Sequence, residues 1–251
     1  MKNVFQAWSA AFARGLLMAC ALAWPTVQAK PLLLVTESTP YTYMVGARVA
    51  GPATEVVEKT LQSAGLTDFQ VKIYPWARAY DMALKEPGVL IFLIARTPGR
   101  ETQFKWAGEI MKIQYHLYRL RERTDVAVKT LADAQKYNIG VMRDDVRHQY
   151  LQSKGFTRLV VSAQAIDNFN KLIGRQVDLI PLVEDDTTIF CAQAQFDCNA
   201  LERVLTLDEA STGLYMAYSN TTADDTVQKT RAAFDKLKAD GTVRKIMQKK
   251  P

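Results

Sequence analysis

Histidine is the scarcest residue type that matters for chemistry here: His116 and His148 are the only two in 251 residues, 32 positions apart. That spacing leaves no legible histidine metal cluster and no Ser-His-Asp or Cys-His nucleophile arrangement. Cysteine is nearly as rare, with Cys20, Cys191 and Cys198 making the full set of three. No apolar run approaches the roughly 20 residues that a helix needs to span a bilayer core. A basic stripe is missing too: the formal charge is +6, but Lys and Arg are scattered apart from the tail Lys249-Lys250. That pattern argues against nucleic acid and leaves some attraction for small anions. Internal repeats and low-complexity segments are absent. What remains, 48% hydrophobic and 23% charged residues, is the composition of an ordinary globule.

The N-terminus reads as a secretory signal. Lys2 and Arg14 precede an apolar run from Gly15 to Trp24, and Val27-Gln28-Ala29 offers modest side chains before a cut. The expected mature chain therefore starts at Lys30 and is exported to the periplasm, with residues 1–29 removed. Leu17-Met18-Ala19-Cys20 matches a lipoprotein box poorly at Met18, so no lipid anchor at Cys20 is expected. Without Lys2 and Arg14 the formal charge is +4. Removing Cys20 leaves an even pair in an exported protein, which reads as a disulfide between Cys191 and Cys198. Closing so short a loop is worth about 2–3 kcal/mol on the chain-entropy picture.

Periodicity along the mature chain is that of an α/β protein. Leu32-Leu33-Leu34-Val35 is a buried strand, a polar loop covers 36–51, and 54–64 carries an apolar helical face ended by Gly65. Residues 69–74 alternate as a strand, 76–85 form a helix stopped by Pro87-Gly88, and 89–94 are a second buried strand. That order requires parallel strands with crossover helices. Ile113, Tyr115 and Leu117 alternate with polar partners and predict one long strand into the charged segment 119–125, a first lobe boundary. A second series follows: helix 130–137, strand 138–141, helix 145–155, strand 158–161, helix 165–174 with Ser162 as its cap, and strand 177–182. Strands at 203–207 and 214–219, a helix over 224–240 and a short helix after Gly241 complete the chain.

Ligands of open α/β sheets sit beyond the carboxyl ends of strands, so the loops there hold the candidates. Glu37, Tyr41 and Tyr43 follow the first strand, and the two tyrosines flanking Thr42 could form flat walls. Trp76 and Arg78 open the helix after Tyr74-Pro75. The buried strand 89–94 runs into Ala95-Arg96-Thr97-Pro98-Gly99-Arg100, placing two guanidinium groups at its end. Their forked donors match a carboxylate in a way lysine cannot.

In order and spacing these features resemble the family 3 periplasmic solute-binding proteins, receptors of polar amino-acid ABC transporters. The matching stretches are Pro40-Tyr41-x-Tyr43, Thr97-Pro98-x-Arg100, Phe104-Lys105-Trp106 and the tail Phe234 to Ile246. The resemblance implies a two-lobed fold of type II with a ligand cleft between the lobes. Lobe 1 would be 30–118 plus 208–251, and lobe 2 would be 119–207. It further implies that Arg100 clamps a carboxylate, that aromatics near Tyr41 and Tyr43 cover the solute, and that Arg143 and Asp144 lie in a loop lending helix N-terminal donors. Glu184 or Asp185 would then meet an amino group. Two departures stand out: Leu93-Ile94-Ala95 replaces small hydroxyl residues, and Arg96 is an extra guanidinium.

The expected function is that of an exported receptor capturing a small polar, carboxylate-bearing solute, an amino acid or organic acid, for an inner-membrane ABC permease. It would act as a monomer, without cofactor or metal. A ligand-sensing protein without a transport role is the alternative. A further alternative is a cyclohexadienyl dehydratase-like enzyme on the same fold, with Glu37 or Glu184 as general acid.

Overall fold

The computed structural model describes residues 31–248. The expected signal sequence and its cut, Cys20 and Lys249-Lys250 lie outside the described residues. In chain order the elements are β1 Leu32–Thr36, β2 Tyr43–Val45, β3 Arg48–Ala50, α1 Pro52–Ser63, β4 Phe69–Ile73, α2 Trp76–Lys85, β5 Val89–Ala95 and β6 Phe104–Ile113. The chain continues with β7 His116–Leu120, α3 Leu131–Ala134, β8 Ile139–Met142, α4 Val146–Ser153, β9 Leu159–Ser162 and α5 Ala165–Ile173. Last come β10 Ile180–Leu182, α6 Glu184–Gln193, β11 Leu201–Thr206, β12 Thr212–Ser219, α7 Asp224–Ala239 and α8 Thr242–Met247.

A five-stranded sheet in the order β4-β1-β5-β12-β6 forms the first half. β1 pairs in parallel with β4 and β5, as the crossover helices demand, while β12 lies antiparallel to β5 and β6. Every residue of β5 is buried, which explains its unbroken apolar sequence. One side of this sheet packs on α1, α7 and α8 through Val57, Leu61, Phe92 and Phe234. The other carries α2 through Trp76, Ala79 and Ala83. Gly108 of β6 lets α7 approach: a Cβ there would lie 2.3 Å from the Phe234 ring. The second half holds the antiparallel sheet β10-β7-β11 and the parallel pair β8-β9, which a bridge between Ile139 and Leu179 ties to the segment entering β10.

Several sequence expectations change at this level. The single long strand through Ile113 to Tyr118 is two strands, because the chain leaves the first sheet after Ile113 and joins the second at His116. The helix over 130–137 shrinks to α3, opened by a capping box of Thr130 and Asp133. Ser162 does not cap α5: it ends β9, its hydroxyl meets the Lys171 ammonium, and Gln164 holds the position before the helix. The polar loop 36–51 contains the β2-β3 hairpin. The segment leading to the cysteines is helical as α6, whose Cys191 is joined to Cys198 with 5.6 Å between Cα atoms. Among the described residues no helix is long and apolar enough to cross a membrane.

Candidate ligand cleft

The loop after β1 is shaped by its own hydroxyls. Thr42 donates to the Glu37 carbonyl at 2.6 Å, and Thr39 Oγ1 accepts the Tyr41 N–H at 3.1 Å. Gly51 permits this course, since its φ of 114° suits glycine and a Cβ would press within 2.3 Å of the Tyr41 carbonyl oxygen. Glu37 and Tyr41 are thereby turned toward the second half, where the Tyr41 hydroxyl donates to Asp185 in the first turn of α6. After β5 the chain makes a single 3-10 turn, Pro98–Arg100, which folds Arg100 inward to 1% exposure.

Arg100 sits over the rings of Tyr80 and Trp76, at 4.8 and 5.5 Å from their centroids. One of its terminal nitrogens donates to the Ala95 carbonyl at 3.3 Å and the other to the Asp144 carbonyl at 2.9 Å. Its Nε is buried without a partner. Trp76 donates through its indole nitrogen to the same Asp144 carbonyl at 3.0 Å. Asp144 presents that oxygen from a left-handed turn with φ of 57°. Asp145 then caps α4, accepting the Arg147 N–H at 2.8 Å. The Arg147 side chain pairs with Asp145, donates to the Pro181 carbonyl at 3.2 Å and lies 5.0 Å over the Tyr115 ring.

Two chambers adjoin these groups. The inner one, about 60 Å³, is lined by Glu37, Leu93, Arg100, Tyr115, Arg147 and Asp186 among others. Leu93 points there from a bulge in β5, where its φ is 60° and the pairing with β12 slips. The outer one, about 440 Å³, lies between Pro40, Tyr43 and Tyr74 on one side and Ile166, Ile189 and Phe190 on the other. Glu37, Thr39 and Trp76 line both chambers.

Carboxyls crowd this cleft. Burial first, and the neighbouring Asp145 and Asp186 next, push the Glu37 carboxyl up to about 8, against the pull of Arg147. Asp186 is pushed up to about 6, mainly by burial, with Asp185 and Asp145 adding to it and Arg147 opposing. Burial also raises the Tyr115 phenol, and burial with the bond to Asp185 raises that of Tyr41.

The sequence candidates thus separate into two groups. Glu37, Tyr41, Trp76, Arg100 and the Asp144 carbonyl come together at the inner chamber or its wall, and Tyr43 lines the outer one. Arg96 goes elsewhere: it forks onto Glu101 at 2.8 and 2.5 Å and lies near the Trp106 and Tyr215 rings. Arg78 is exposed and covers Tyr74 at 4.4 Å, while Arg143 and Glu184 are exposed and line neither chamber. Sequence reasoning missed Arg147, Tyr115 and Asp186. The run Glu184-Asp185-Asp186 signalled an acidic helix start, but only the helical turn decides which of the three faces inward.

No family model and no curated protein sequence matches this chain. Solved structures do. A histidine kinase sensor domain with similarity to periplasmic binding proteins aligns at a TM-score of 0.77 and 14% identity, covering 86% of this chain and 93% of that one. The arginine-, lysine-, histidine-binding protein ArtJ of Geobacillus stearothermophilus aligns at 0.73 and 16% identity, covering 88% and 97%. The arginine-specific periplasmic binding protein STM4351 of Salmonella typhimurium aligns at 0.71 and 17%, covering 88% and 99%. The chain has the two-lobed α/β fold of periplasmic binding proteins, and amino-acid ABC transporter receptors are among its structural neighbours.

Proposed function

We propose that this protein is an exported, non-catalytic receptor that captures a small polar solute bearing a carboxylate and delivers it to an inner-membrane ABC permease. In this reading the residues up to Ile113 with those from Thr212 onward form one lobe, 116–206 form the other, so the expected boundary at 118 moves to the break between β6 and β7, and the protein works as a periplasmic monomer. The observation that carries the proposal is Arg100: a guanidinium 1% exposed at the cleft, its Nε without a partner and one terminal nitrogen held by a backbone carbonyl of the facing segment. A carboxylate offers two acceptor oxygens to such a fork and gains a charge-assisted pair in place of a neutral one. Two of the three neighbours named above are binding proteins, which fits a receptor.

A screen of amino acids and organic acids at millimolar concentration tests this, since a solute that binds only the folded state raises the melting temperature. Failure of every member to shift it overturns the reading. For a solute that does bind, Arg100→Ala is expected to cost about 2–5 kcal/mol of affinity, with Arg100→Lys recovering little of it. Unchanged affinity in both variants would remove Arg100 from the site.

A ligand-sensing role without transport is the second reading, favoured by the likeness to a kinase sensor domain. Stimulation of a reconstituted permease's ATPase by the loaded protein separates the two.

A further inference from the structure

The outer chamber plays no part in gripping a carboxylate, yet it is the larger of the two. Its volume of about 440 Å³ exceeds the inner chamber's 60 Å³, and Glu37 is the one charged residue of its lining. Its larger lining side chains are mostly aromatic or branched, Tyr43, Tyr74 and Trp76 from one half and Ile166, Ile189 and Phe190 from the other, with Gln164 and Gln193 as the polar exceptions among them. Those walls are fixed from behind. Trp76 stacks on Tyr80 at 5.7 Å between centroids and is bonded to the Asp144 carbonyl. Phe190 leans on Phe169 at 5.8 Å, and the Arg78 guanidinium lies 4.4 Å from the centroid of the Tyr74 ring. Rings held in place lose little freedom when another ring enters between them.

Glu37 stands at the junction of the chambers. Among the described residues its carboxylate has no hydrogen-bond partner, and Asp145 and Asp186 face it from the second half with Arg147 as the nearby cation. Burial keeps Glu37 largely protonated near neutral pH, and a cationic group entering there favours its ionised form and pairs with it.

We infer that the captured solute is an aromatic amino compound: its ring system fills the outer chamber between Tyr43, Trp76 and Phe190, and its amine meets Glu37 at the junction. This rests on the receptor reading and names the ligand class for it. Selectivity then comes from the outer chamber and from Glu37, whereas Arg100 confers only a preference for a carboxylate.

Isothermal titration of the mature protein with L-tryptophan, L-phenylalanine, L-alanine, L-glutamate and indole-3-acetate tests it. An aromatic amino acid is expected to bind at least about tenfold tighter than L-alanine or L-glutamate, and tighter than indole-3-acetate, which keeps ring and acid but lacks the amine. Tyr43→Ala and Phe190→Ala are each expected to weaken the aromatic probe by about tenfold, with the melting temperature of the free protein checking that they fold. If L-alanine or L-glutamate binds as tightly, or both variants hold the aromatic probe at its original affinity, the inference falls and the receptor reading stands. If none of the five binds, the inference falls as well, and the broad solute screen decides separately whether the receptor reading survives.

Discussion

Glu37 is a carboxyl facing carboxyls, and that arrangement makes the free protein's stability depend on pH. Its pKa is raised to about 8 and that of Asp186 to about 6, mainly by burial. A raised carboxyl binds its proton more tightly in the folded than in the unfolded chain. Between the ordinary carboxylate range near 4.5 and the folded value near 8, the folded state therefore holds more protons, and stability falls as pH rises. The melting temperature of the ligand-free protein is expected to drop from pH 5 to pH 8, and Glu37→Gln to remove most of that slope. A slope untouched by the substitution would place its origin elsewhere. At this scale the sequence was partly readable. Arg100 and Glu37 follow apolar strands, where buried ends face a cleft. Arg96 carries the same chemistry at the end of the same strand, yet it turns to Glu101 while the 3-10 turn folds Arg100 inward.

Among elements, α6 is the least expected and the most consequential. Its ten residues hold both apolar and polar side chains without a clear face, so periodicity does not announce it. Its first turn carries Asp185 and Asp186 to the cleft, and its last turn is tied to Cys198. Replacing both cysteines by serine is expected to cost about 2–3 kcal/mol in urea unfolding and to weaken any solute that contacts α6. The β6–α7 contact offers a cleaner test of packing. Gly108→Ala would set a Cβ 2.3 Å from the Phe234 ring, and the overpacking is expected to cost about 1–3 kcal/mol. The strands β1, β4 and β5 and the helices α1, α2 and α7 were legible because each has an apolar set of one clear period. The division of Ile113 to Tyr118 was not, since alternation continues across the break and only pairing partners reveal it.

At the scale of the whole molecule, the cleft is drawn together by hydrogen bonds that span it: Tyr41 to Asp185, and Trp76 with Arg100 to the Asp144 carbonyl. Trp76→Phe keeps the ring and deletes one of these donors. The ligand-free variant is expected to show a larger radius of gyration in solution scattering than the parent, and the two to coincide when saturated with solute. Equal dimensions without solute would mean that these bonds do not govern closure. The two-lobed architecture was readable from the order of the apolar runs. The cleft's acidic character was not, because it arises from residues distant in sequence, Glu37, Asp145 and Asp186, whose neighbourhood exists only after both halves fold.

The oxygen that occupies the Arg100 fork belongs to the main chain at position 144. Every amino acid supplies that atom, so no single exchange can delete it; an exchange can only alter how the turn aims it. In the proposed binding mode an incoming carboxylate displaces an internal rival, and the concentration at which it succeeds is tuned by the shape of a turn that the solute itself does not need to touch.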